Sequence, residues 1–159
     1  MARPITSGYQ PTLSGRSVSP AGIIHGNRTQ QKKRTILLVD DDANLRLLLD
    51  FVLKRDYHVV AREDGLSAMA WLAAGNMPDL IISDLDMPRL NGYEFLCQLS
   101  ASGYFQDIPV VMLSGYDDQE MKTRCLNQGA IDYLLKPFKP ETILARIECL
   151  LEQVSSFGA

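Results

Sequence analysis

From Thr35 onward the chain alternates short apolar runs with longer stretches in which apolar residues recur at helical spacing. The apolar runs are residues 35–40 (TILLVD), 58–62 (HVVAR), 79–84 (DLIISD), 108–113 (IPVVML) and 131–135 (IDYLL). Each is too short for a buried helix and carries Ile, Val or Leu between turn-forming residues, so each predicts a strand. The first, third and fourth are nearly continuous in apolar residues, as in strands covered by helices on both faces. Between them, residues 44–54 place Leu45, Leu48, Leu49, Val52 and Leu53 on one helical stripe. Residues 66–74 offer Met69, Ala70 and Leu72 around Trp71, and residues 92–100 contribute Phe95, Leu96 and Leu99. Residues 117–128 open with acids that suit a helix N-terminus and stop at Gly129. In the last helix, Pro140 suits the first turn. Ile143, Leu144, Ile147, Leu150, Leu151 and Val154 then repeat until Ser155, Ser156 and Gly158 end the pattern. Five strand-helix units predict a doubly wound α/β fold, a parallel five-stranded sheet between two layers of helices.

Composition adds a boundary. The 159 residues are 46% hydrophobic and 22% charged, which suffices for one ordinary core. Residues 1–34 hold six basic residues, Arg3, Arg16, Arg28, Lys32, Lys33 and Arg34, and no acid. The remainder, with ten basic against nineteen acidic residues, is strongly acidic. A basic segment rich in Ser, Gly and Pro cannot offset the entropy of ordering itself, so residues 1–33 are expected to be a disordered basic N-terminal tail and residues 34–155 one folded domain. The tail's sharper reading is contact with an anionic surface or nucleic acid through residues 30–34; its acid-free start also resembles a transit peptide. No apolar stretch is long enough to span a membrane or to act as a secretory signal, so a soluble, cytoplasmic protein is expected. Cys97, Cys125 and Cys149 are odd in number and set among helix formers, which suits buried side chains better than a disulfide framework. His25 and His58 lack partners at metal-ligand spacing and are expected to be solvated.

In an open parallel sheet, chemistry sits at the carboxyl ends of the strands, near the switch in strand order. The first strand ends in Asp40, Asp41 and Asp42, the third in Asp84 followed by Asp86, the fourth in Ser114 and the fifth in Lys136-Pro137. Several carboxylates on one crevice repel each other unless a cation neutralises them or some protonate, and oxygen donors favour magnesium or a similar hard ion. A hydroxyl and an ammonium at neighbouring strand tips complete a phosphate-binding set in which a carboxylate nucleophile can attack a phosphoryl group. Each piece alone has an ordinary explanation as a cap, a turn or a solvated lysine. Asp42 and Asp117 or Asp118 fit helix caps, and Gly65 and Gly92 fit helix starts.

The segments ILLVDDDANLR, PDLIISDLDMPRLNGYEFL, VVMLSGYDD and GAIDYLLKPF resemble the receiver domain of two-component response regulators, including the chemotaxis regulators, over residues 34–154. The resemblance implies a flavodoxin-like (βα)5 sandwich with strand order 2-1-3-4-5. It implies that Asp84 accepts a phosphoryl group from a histidine kinase or histidine phosphotransfer protein. Magnesium would be held by Asp41 and Asp84, with Asp40 acting through water and Asp86 through its backbone carbonyl. Ser114 and Lys136 would hold the phosphoryl group, and Tyr133 would be an aromatic switch whose ring turns inward when Ser114 moves. A cis Lys136–Pro137 peptide is implied as well. Asp86 and Tyr116 occupy positions where side chains control access of hydrolytic water. The domain would catalyse only its own phosphorylation and dephosphorylation.

Two other readings stay open. Ile82-Ser83-Asp84-Leu85-Asp86 also resembles the nucleophile motif of haloacid-dehalogenase-like phosphatases, with Asp86 as general acid/base. A receiver-like module that is never phosphorylated and only binds partners is the second. No DNA-reading module follows the last helix, so the expected output is a protein contact through the fourth helix, fifth strand and fifth helix, or a phosphorylation-dependent homodimer.

Overall fold

In the computed structural model, which describes residues 32–157, the apolar runs become β1 (Thr35–Val39), β2 (His58–Arg62), β3 (Leu80–Asp84), β4 (Val110–Ser114) and β5 (Asp132–Leu135). The helices are α1 (Ala43–Leu53), α2 (Gly65–Ala73), α3 (Gly92–Ala101), α4 (Gln119–Gln128) and α5 (Pro140–Phe157). All strand pairs are parallel, in the order β2-β1-β3-β4-β5. The chain therefore winds one way from β1 to β2 and the other way from β3 onward, which opens a crevice at the carboxyl ends of β1 and β3.

Successive strand side chains point to opposite faces, and here both faces are apolar. Ile36 and Leu38 of β1, Leu80 and Ile82 of β3, and Val111 and Leu113 of β4 pack against α1 and α5. Leu37 and Val39, Ile81, and Val110 and Met112 pack against α2, α3 and α4. Each buried Leu or Ile contributes about 1.5–3 kcal/mol, so these two layers supply most of the driving force and clamp the strand ends in place.

The helix starts follow from local chemistry. Asp42 accepts hydrogen bonds from the Asn44 and Leu45 N–H groups at the start of α1, and Asp118 accepts one from Met121 at the start of α4. Asn91 and Glu94 form a reciprocal capping box on α3. Gly129, at φ 114°, ends α4 in the left-handed region that favours glycine. At Gly92 a Cβ would stand 2.1 Å from the Asp84 carbonyl oxygen. Only glycine lets α3 start directly against the end of β3.

Three expectations need correction. Leu48 does not join the buried stripe of α1: it is 43% exposed, because Leu49 and Leu53 alone meet the sheet squarely. α5 does not stop at the serines, because Ser155 and Ser156 donate their hydroxyls back to the Leu151 and Glu152 carbonyls and the helix runs on to Phe157. Cys125 is buried as expected, but Cys149 is exposed and Cys97 half-buried; all three are free thiols.

The tail expected over residues 1–33 lies outside the described residues except for Lys32 and Lys33, and so does His25. Lys33 donates to the Lys54 and Arg55 carbonyls at the end of α1, and Arg34 donates to the Leu151 carbonyl of α5. Two of the cations set aside for an anionic partner are thus engaged by backbone carbonyls, Lys33 at the end of α1, where cations are favoured, and Arg34 within α5. His58 is exposed. No helix among the described residues is long and apolar enough to cross a membrane.

Candidate functional site

The period of two that builds the core also selects which strand-end residues meet. Asp40 follows Ile36 and Leu38, Asp84 follows Leu80 and Ile82, and Lys136 follows Leu134, so these three extend the rows on the α1 and α5 side. Ser114 follows Val110 and Met112, and Tyr133 lies in register with Met112, so these two extend the rows on the opposite side. The sheet continues one rung past the strands to hold them: the Asp40 N–H donates to the Arg62 carbonyl and the Lys136 N–H to the Ser114 carbonyl.

Lys136 Nζ lies 2.8 Å from Asp40 Oδ2 and 2.9 Å from Asp84 Oδ1. Asp40 is fully buried and Asp84 is 4% exposed, whereas Asp41 is exposed. Carboxylate oxygens of Asp40, Asp41 and Asp84 all fall within 4.8 Å of one another. Asp40 is further tied down, its Oδ1 accepting the Asp42 N–H and its backbone carbonyl accepting from the Arg46 guanidinium. The Lys136–Pro137 peptide is cis, as the resemblance implies.

Three carboxylates and one ammonium leave the crevice short of positive charge. Burial pushes the Asp84 carboxyl up to about 6; Lys136 pulls it down, and the neighbouring Asp40 and Asp41 add to the rise. Burial alone would lower the Lys136 ammonium, but its hydrogen bonds to Asp40 and Asp84 outweigh that and raise it. A group of close oxygen donors with one member open to solvent fits a hard divalent cation. Asp41 and Asp84 are the members best placed to ligate it, because both Asp40 oxygens are already hydrogen-bonded.

The Ser114 hydroxyl turns to its own loop, donating to the Tyr116 carbonyl at 3.0 Å and accepting the Tyr116 N–H at 3.1 Å. Tyr116 is 72% exposed beside it. Tyr133 is buried among α4-side residues. Burial raises its hydroxyl pKa, and the nearby Ser114 hydroxyl partly offsets this without completing a hydrogen bond, so the Tyr133 hydroxyl stays buried and unpaired. The inward ring is the position the resemblance assigns to the switched form, and here it coexists with a Ser114 held by its own loop. Asp86 is exposed, and its carboxylate is not among those that converge. A contribution of Asp86 to a bound metal would therefore come through its backbone.

Sequence comparison converges with this geometry. Residues 36–148 match the family model described as the response regulator receiver domain. The phosphate regulon transcriptional regulatory protein PhoB of Escherichia coli (strain K12) is 38% identical over 123 residues, covering 77% of this chain and 53% of that protein. The chain thus spans about half the length of that curated relative. Among solved structures, the chemotaxis response regulator CheY4 of Vibrio cholerae has a TM-score of 0.68 at 32% identity, covering 74% of this chain and 98% of that one. The receiver domain of a signal transduction histidine kinase from Syntrophus aciditrophicus has a TM-score of 0.70 at 31% identity, covering 76% of this chain and 92% of that one.

Proposed function

The chain belongs to the response regulator receiver domain family, and from that premise we propose that Asp84 is its phosphoryl acceptor, loaded by a histidine kinase or phosphotransfer protein. The observation that carries this reading is a buried carboxylate 2.9 Å from one lysine and within reach of two further aspartates. With a pKa of about 6, Asp84 is mostly ionised at pH 7. In the transfer, an Asp84 oxygen forms a bond to phosphorus while the bond from phosphorus to the donor histidine nitrogen breaks. Lys136 holds the acceptor in place and offers its ammonium to a phosphoryl oxygen. The Ser114 hydroxyl, released from Tyr116, reaches another. Asp40 helps hold Lys136 in the crevice through a second contact of its ammonium. Magnesium bound by Asp41, Asp84 and the Asp86 carbonyl would screen the negative charge on both reacting partners.

The exposed Tyr116 and Asp86 flank the acceptor, where they govern access of water to the acyl phosphate. The output face lies on α4, β5 and α5, where Leu126, Ile131 and Leu135 are exposed and a shallow depression is lined by Leu134, Thr142, Ala145, Arg146 and Cys149. One new set of charge-assisted hydrogen bonds at Ser114 is enough to shift the packing around Tyr133, because such switches need only a few kcal/mol.

The test is labelling with acetyl phosphate, or capture of beryllofluoride, in the presence of magnesium. Wild type is expected to gain one phosphoryl group and Asp84→Asn none; retention of label in the variant would sink the assignment. Multiple turnover on small phosphate esters would point instead to a phosphatase. Tyr133→Ala is expected to keep labelling and to weaken phosphate-dependent partner binding or dimerisation through the α4–β5–α5 face; unchanged binding counts against the switch.

A further inference from the structure

The loop that follows the acceptor strand is pinned to a neighbouring helix by an ion pair. Asp64 is fully buried at the start of α2, where its Oδ1 accepts the Ser67 N–H. Its Oδ2, fully buried and without a hydrogen-bond partner among the described residues, meets only the Arg89 guanidinium, which arrives as an ion-pair partner from the loop between β3 and α3. Among the described residues no other cation faces this carboxylate, and a buried charge left unpaired is costly. Glu63 lies at 3.8 Å from the same guanidinium.

Arg89 is also the only non-glycine residue with positive φ among the described residues, at 69°. Glycine adopts this conformation without strain, so a long charged side chain here points to a use for the guanidinium. The next residue adds a second contact on the same spot. Leu90 lies so close to Gly65, the neighbour of Asp64, that a Cβ there would stand 2.9 Å from Leu90 Cδ2 and 3.0 Å from the Leu90 carbonyl oxygen. The Gly92 N–H closes the loop onto the Leu85 carbonyl at 2.8 Å. The segment from Leu85 to Gly92 is thus tied at both ends and in the middle, with Asp86 inside it.

We propose that Arg89 is a positioning residue for metal binding: by pairing with Asp64 it fixes the loop backbone at Asp86, two residues beyond the acceptor. The inference rests on the reading of Asp84 as acceptor and of the Asp86 carbonyl as a magnesium donor. Outer contacts that orient a donor group are worth about ten-fold or more in metal affinity. The ion pair spans loops 25 residues apart in sequence and ties the metal site to the start of α2.

Calorimetric titration of the full chain with magnesium chloride tests this. Arg89→Ala and Asp64→Asn, the latter keeping a good helix cap, are each expected to weaken magnesium binding about ten-fold. The double variant should bind no more weakly than either single one, because both break the same pair. Arg89→Lys should recover most of the affinity. Arg89→Gly, which accepts the left-handed backbone, should still lose it. Labelling of Arg89→Ala by acetyl phosphate should return to the wild-type rate at saturating magnesium, a recovery that a general loss of structure would not give. Affinities of Arg89→Ala and Arg89→Gly within about two-fold of wild type, or additive losses in the double variant, overturn the assignment. If wild type is labelled at Asp84 and binds magnesium while Arg89→Ala binds it equally well, only the role of Arg89 falls. If wild type binds no magnesium, the underlying reading falls with it.

Discussion

Asp40 and Asp64 sit at the carboxyl ends of adjacent strands, both fully buried and both facing a cation, yet they belong to opposite kinds of arrangement. Asp64 is the one buried carboxylate on Arg89, with Glu63 at 3.8 Å from the same guanidinium but exposed to solvent, and one backbone N–H fills its other oxygen, so the buried charge is matched locally. Asp40 shares Lys136 with Asp84 while Asp41 stands close by, so three carboxylates divide one ammonium. A balanced buried pair stores no demand for a ligand. An unbalanced cluster persists only because burial shifts a proton affinity, as at Asp84, or because a further cation completes it. Charge balance, rather than burial or residue type, separates the structural acid from the reactive ones.

Four substitutions probe that distinction. The largest effect is expected at Lys136. Lys136→Met leaves Asp40 and Asp84 without their shared cation and should destabilise the fold by about 3 kcal/mol in chelator, read from urea denaturation, with part of the loss restored by magnesium. Asp84→Asn should act in the opposite direction. The folded-state pKa of Asp84, about 6, lies above its ordinary 3.8, so its ionised form weighs against folding. This group's contribution to stability falls as pH rises from about 4 to about 6 and stays low above that. Asp84→Asn should therefore stabilise the chelated protein by about 2 kcal/mol at pH 7 and by little at pH 4. Thermal melts at both values check it; equal gains at the two pH values would deny the burial effect.

On the balanced side, Arg89→Ala should cost about 1.5 kcal/mol, less than Lys136→Met because the guanidinium is 57% exposed and solvent screens the pair. Denaturation in chelator measures this; a cost equal to that of Lys136→Met would erase the distinction. The smallest effect belongs to a neutral group at the reactive edge. Tyr133→Phe removes a buried hydroxyl that has no partner and should raise stability by about 1 kcal/mol, seen as a higher melting temperature. A loss instead would mean that Ser114 supplies a real hydrogen bond to that hydroxyl.

Much of this is legible in the sequence. The continuous apolar runs ending in Asp84 and near Asp40 announce buried parallel strands, and the topology rule sends function to their carboxyl ends. Asp42, Asp118 and Gly129 declare helix boundaries through chemistry that acts within three or four residues. The role of Arg89 was not legible. Gly65 signals a helix start, but nothing local links the neighbouring Asp64 to an arginine 25 positions on. The exposure of Leu48 beside the buried Leu49 was equally hidden, since adjacent positions on a helix differ only by where the sheet lies.

The sequence by itself determined which residues stand at the strand tips and hence which chemical groups are available, because strand and helix periods are set by neighbours along the chain. Only the tertiary structure decided how those groups are partnered. The order β2-β1-β3-β4-β5, all parallel, puts the ends of β1, β3 and β5 at one edge of the sheet, where the Lys136 side chain reaches both Asp40 and Asp84, while the β3–α3 loop brings Arg89 to Asp64. Charge balance is a sum over groups far apart in sequence, and that sum exists only once the sheet has closed.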